Sequence, residues 1–214
     1  MRTVFHHQLD ELKAGIAGLC ERTGNSMADA TAALLQPNLQ IAEEVIDRYR
    51  DITHECTRLE ADAFTILARQ APVAGDLRAV VSTLKDVADM GRMGALATHI
   101  ARIARRRHPN LAVPVDVVLH FAAMGRIAVR ISEDTKHVVL ANDPDQAAQL
   151  RADDEAMDDL HRHLFTTVMD PTWTHGTATA VDVTLLSRYY ERFADHAVEV
   201  ADRVIYQTTG AHRA

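Results

Sequence analysis

The chain has 214 residues, 47% hydrophobic and 25% charged, enough for one large domain or two small ones with a substantial core and too apolar for a disordered chain. Its net charge of -7 argues against a surface that coats nucleic acid. No apolar run approaches the ~18 residues of a membrane span, and the charged N-terminus Met-Arg-Thr-Val-Phe-His-His lacks the apolar segment of a signal peptide. A cytoplasmic protein with no direct membrane insertion is expected. Cys20 and Cys56 have no CxxC spacing and read as reduced core residues.

Helical periodicity dominates. Leu9, Leu12, Ile16, Leu19 and Cys20 recur at intervals that fit a helix over 3–35, which stops before Pro37. Val45, Ile52, Leu59, Ala63, Ile66 and Leu67 continue the pattern over 38–69, and Pro72 ends it. The third helix, 73–108, closes on Arg105-Arg106-Arg107-His108 before Pro109, a favourable place for cations at a helix C-terminus. Three further stretches, 114–141, 145–169 and 176–209, follow between Pro114, Pro144, Pro171 and Gly176. A helix of about 33 residues is ~50 Å long and needs antiparallel partners to bury its apolar stripe, so an all-α bundle is expected.

The third and sixth helices look like copies. An offset of 100 residues superimposes Arg92 on Arg192, Ala97 on Ala197 and Ala101 on Ala201. The expected architecture is two tandem three-helix bundles, residues 1–110 and 111–214. Arg92 and Arg192 are expected to make ion pairs inside their bundles.

The chemistry concentrates in the second copy. Glu191 and Asp195 are four residues apart on one helical face, and such a like-charged pair costs roughly 0.2–0.5 kcal/mol unless a cation sits between them. Asp154 and Asp158 repeat the spacing on the preceding helix. If the two helices pack antiparallel, all four carboxylates converge, a donor set suited to a hard cation. The alternative is that they form solvated faces or pair with Arg192 and Arg162. Glu155 and Glu199 could add oxygens, although Glu155 turns about 100° from Asp154 and is the weaker candidate. His196 points off the Glu191/Asp195 face and is expected to hydrogen-bond rather than ligate, and His161 and His163 read as surface residues. Trp173 reads as a packing residue. No GxxxxGK[ST], GxSxG or GxGxxG motif is present, so no enzyme is expected.

Gln70-Ala-Pro-Val-Ala-Gly-Asp-Leu-Arg78, Glu191-Arg-Phe-Ala-Asp-His-Ala197 and Val204-Ile-Tyr-Gln-Thr-Thr-Gly210 together resemble the PhoU proteins, regulators associated with the bacterial high-affinity phosphate transporter. Arg92-Met-Gly-Ala-Leu-Ala97 and Ile103-Ala-Arg-Arg-Arg-His-Pro109 look most like the mycobacterial members. The resemblance spans essentially the whole chain. It implies a negative regulator of phosphate uptake and of the phosphate-starvation response, a homodimer that contacts the ATPase subunit of the phosphate ABC transporter and the phosphate-sensing histidine kinase. It also implies iron or zinc on acidic motifs, with magnesium, manganese and calcium also compatible with the donors. Here Tyr49, Thr53, Gly91 and Ala95 stand where the second copy has Asp154, Asp158, Glu191 and Asp195, so metal is expected in the second bundle only. Asp76 and Arg78, just after Pro72, are candidate partner contacts, with Asp76 also suited to the positive end of its helix. The alternative reading is a carboxylate-bridged di-metal oxidase or metal-storage bundle.

Overall fold

A computed structural model describes residues 2–210. The described residues form six α-helices: α1 Arg2–Leu35, α2 Leu39–Gln70, α3 Ala74–Arg107, α4 Val118–Ala141, α5 Pro144–Met169 and α6 Gly176–Thr209. Helices α1–α3 make one bundle and α4–α6 the other. α1, α3, α4 and α6 form a central square, with α2 laid over α1 and α3 and α5 laid over α4 and α6. Residues from both bundles join in one continuous apolar core, from Leu12 and Ile16 through Met90, Met93 and Phe121 to Tyr190 and Phe193.

Helix ends follow local chemistry. Asn38 caps α2 by accepting a hydrogen bond from the Ile41 amide, and Asp143 caps α5 by accepting from Asp145 and Gln146. Pro144 opens α5 rather than preceding it, because the first helical position needs no donor and its fixed φ is already helical. α4 begins later than the sequence pattern implies. Val115–Val117 form a 3-10 turn, and the β-branched Val115, Val117 and Val118 weaken the helical preference there. The α2–α3 turn holds Ala71 and Ala74 at φ 45 and 50, both left-handed.

Gly125 lets α4 approach α1 closely. A Cβ there would sit 2.5 Å from Cγ2 of Thr31 and 2.8 Å from its Oγ1. Thr31 has little freedom to yield, because Oγ1 bonds both the Met27 carbonyl at 2.8 Å and the Tyr190 hydroxyl at 2.7 Å. Gly125→Ala is therefore expected to cost about 1–3 kcal/mol through overpacking. Denaturant unfolding measures this, and a cost near zero would mean that the two helices separate freely.

Candidate metal centre and the charged seam of the helical square

α5 and α6 pack antiparallel. Arg151 reaches Asp202 at 2.8 Å on one side of the acidic segment, and His161 Nδ1 meets Ser187 Oγ at 2.9 Å on the other. This register sets Asp154 and Asp158 opposite Asp195 and Glu191. The acids border the packing face, since Met157 and Tyr190 beside them are buried. Glu191 itself is only 7% exposed.

The four carboxylates influence one another. Burial, followed by the charges of Asp195 and Asp158, pushes the Asp154 carboxyl up to about 6. Burial and the Asp195 charge raise Glu191 to about 7, against the opposing pull of Arg188. Asp195 is raised too, by burial first, with Arg188 opposing and the Asp158 charge adding to it. Arg188 bonds Glu191 Oε1, so the cation beside these acids is Arg188. Arg162 pairs instead with Asp159 at 2.7 Å.

Asp154 Oδ1 and Glu191 Oε2 are buried without a hydrogen-bond partner. An orphaned buried acceptor costs about 1–3 kcal/mol, and more when charged. An all-oxygen donor set with two unsatisfied oxygens fits a hard cation. Among the described residues, no three His, Cys, Asp or Glu side chains are gathered into a ready-made shell for one ion. The acids thus share one field without standing in coordination geometry. The equivalent region of the first bundle contains no such set. Thr53 bonds its own helix at the Arg50 carbonyl, and the Gly91 position faces Cys56 Sγ, 3.9 Å from where a Cβ would lie.

His196 does point off the acidic face: its Nδ1 lies 2.9 Å from Asp89 Oδ1 on α3. There it joins a buried network that the sequence reading missed. Arg203 Nη1 bonds Asp86 Oδ1 at 3.0 Å, and Nη2 bonds Asp89. Burial, opposed by Arg203 and reinforced by the Asp89 charge, pushes Asp86 up to about 8. At the other end of the α3/α6 seam, Arg106 and Arg107 each reach buried Asp182 at 2.6 Å. The arginine run therefore closes the joint between the bundles, beyond simply favouring a helix end. Arg78 spends its guanidinium on the Gln207 carbonyl, at 3.4 Å from Nε and 3.3 Å from Nη2, and Asp76 lies in the first turn of α3. His163 is exposed, as expected of a helix-surface residue, and stacks on His120 of α4 with centroids 4.7 Å apart. Trp173 packs against the core and donates to the Gly176 carbonyl at 3.2 Å.

A duplicated three-helix bundle, fused through one core and bearing acids on a helix seam, defines an all-α tandem-bundle protein. The chain belongs to the PhoU family: the PhoU domain model matches residues 16–104 and 121–204. It is 59% identical over 211 residues to phosphate-specific transport system accessory protein PhoU homolog 2 of Mycobacterium tuberculosis, covering 99% of each chain. It is 55% identical to PhoU homolog 1 of Mycobacterium leprae, covering 99% of this chain and 95% of that one. The crystal structure of the PhoU regulatory protein from Streptococcus pneumoniae shares the fold with a TM-score of 0.86 at 22% identity, over 98% of this chain and 99% of that one. PhoU proteins are accessory and regulatory proteins, and the chain is not an enzyme.

Proposed function

We propose that the protein is a cytoplasmic negative regulator of phosphate uptake and of the phosphate-starvation response. It acts by docking, as a homodimer, on the ATPase subunit of the phosphate ABC transporter and on the phosphate-sensing histidine kinase. The near full-length similarity to phosphate-transport accessory proteins carries this reading. Among the described residues no helix is long and apolar enough to cross a membrane, which suits a protein that reaches the transporter through its ATPase subunit. Asp154, Asp158, Glu191 and Asp195 would hold an iron or zinc ion, and the two unsatisfied oxygens support that assignment. Such an ion would supply positive charge between α5 and α6. Family membership sets aside the oxidase alternative.

A deletion strain tests the regulatory reading. Loss of the protein, in a background without paralogues, is expected to raise transcripts of phosphate-uptake genes in phosphate-rich medium. Unchanged transcripts would end it.

A further inference from the structure

We infer that the outer face shared by α3 and α6 is a docking surface for an acidic segment of a partner protein. Four observations converge there, on side chains other than the four acids between α5 and α6.

The first is geometry. α3 and α6 run antiparallel, with Arg106 beside Asp182 at one end and Arg78 on Gln207 at the other. Between these ends the His99 and Tyr189 rings stack with centroids 5.2 Å apart, both half-exposed, which marks the outward side of the joint. Lys85 and Arg92 precede His99 by four and two helical turns and so share its side of α3. Arg102 lies one turn beyond, close enough for its charge to add to burial in lowering the His99 pKa. Arg192 follows Tyr189 by one turn on α6.

The second is charge. Among the exposed residues of α3 and α6 the single carboxylate is Glu199, and every other exposed charged side chain is lysine or arginine. This occurs on a chain of net charge -7. The other exposed acids lie elsewhere, for example Glu43, Glu44, Asp47, Asp51 and Glu60 on α2.

The third is that these cations lack short-range partners, although Arg192 still acts at a distance on Asp195 and Lys85 on Asp86. The ion pairs expected for Arg92 and Arg192 are not formed: among the described residues, Lys85, Arg92, Arg102 and Arg192 make no ion pair within 4.0 Å. Their neighbours Arg106, Arg188 and Arg203 all have carboxylate partners. Arginine forks left open beside an aromatic stack favour bidentate capture of carboxylates.

The fourth is apolar exposure at both ends of the face. Leu77 and Val81 are 41% and 37% exposed near the start of α3, and Val181 and Leu185 are 50% and 40% exposed near the start of α6. Because the helices are antiparallel, these residues flank the cationic middle. Arginine, an aromatic pair and flanking aliphatics are the composition of a protein-binding hot region. The occupant is therefore a protein segment bearing both carboxylates and apolar side chains. This deepens the docking reading above, on which it rests for the role of the contact in the cell.

The test uses the intact protein and a synthetic helical peptide with glutamates on one face and leucines on the other. Wild type is compared with Arg92→Gln/Arg102→Gln/Arg192→Gln, whose melting temperature should be unchanged because those side chains make no ion pairs. The triple variant is expected to bind the peptide at least about tenfold more weakly, and wild-type binding should weaken with salt. Val81→Ser/Leu185→Ser should also weaken binding, and an oligoglutamate peptide should bind less well than the leucine-bearing one. Equal affinity of wild type and triple variant would overturn the inference. So would arginine-dependent binding of phosphatidylglycerol vesicles or inorganic polyphosphate in place of the peptide. In the deletion strain the triple variant should fail to restore repression at normal protein levels, and full repression by it would also overturn the inference. A deletion without effect on phosphate-uptake genes would instead refute the regulatory reading, leaving the peptide comparison to decide the face.

Discussion

Arg203→Met is expected to destabilise the folded chain by about 3–5 kcal/mol, because it leaves a buried carboxylate without its cation. For a chain of this size that corresponds to a fall in melting temperature on the order of 10 °C. The guanidinium is 13% exposed and serves Asp86 and Asp89 together. His196 can hold Asp89 only in part, so the deletion transmits directly to the α3/α6 joint. Asp86→Asn is the informative control. Burial pushes Asp86 up to about 8, toward the neutral form, so an amide of the same shape is expected to replace it at a smaller cost than the loss of Arg203. The sign of the pH dependence follows. Between the unfolded value near 4 and the folded value near 8, the native state holds the extra proton. The stability this proton confers is complete below about pH 4 and is lost as pH rises through 8. Asp86→Asn should flatten that decline, and denaturant titrations of both variants across this range measure it. A loss below ~1 kcal/mol for Arg203→Met would show that the network is solvated in solution.

The helices were legible because prolines punctuate them and three- and four-residue spacing marks their faces. Pro144 illustrates the limit: sequence treats it as a break, while the cap at Asp143 makes it the first helical residue. Duplication was legible from the offset of 100 residues, and with it the absence of acids at Tyr49, Thr53, Gly91 and Ala95. The facing of Asp154/Asp158 and Glu191/Asp195 across the α5/α6 seam needed only the assumption that a short connection makes α5 and α6 antiparallel, whereas among the described residues the acids are not gathered into a metal shell. The Asp86–Arg203–Asp89 network was not legible. Its partners are separated by 117 and 114 residues, and Asp86 and Asp89 sit beside Ser82 and Thr83 on what reads as a polar border. Burial turns that border inward, because α6 lies against it. Arg203 and His196 hold Asp89, and Arg188 holds Glu191, so these acids are not open to Arg92 or Arg192.

Chelation is expected to lower the melting temperature of the wild type while leaving that of Glu191→Ala/Asp195→Ala unchanged. An ion bound only by the folded state adds stability by mass action, about 2.7 kcal/mol at a hundredfold excess over its dissociation constant. Without an ion, burial and the neighbouring acids push Glu191 and Asp154 up to about 7 and about 6, above their unfolded values. The native state then holds extra protons between about pH 4 and 7. The stability this confers is present below that window and fades as pH rises through it. A cation needs ionised carboxylates, so its contribution grows over the same window. The two effects have opposite slopes, and the shift on chelation should be small near pH 5 and largest above about pH 7. Calorimetric melts of both proteins, with elemental analysis of each, decide the matter. Equal shifts in the two would place the chelator's target elsewhere, and unchanged metal content in the double variant would reduce the four acids to a half-buried charged border held by Arg188. If the predicted divergence is found, the unsatisfied oxygens of Asp154 and Glu191 are the physical reason for it, since an ion supplies the partner that the folded helices do not.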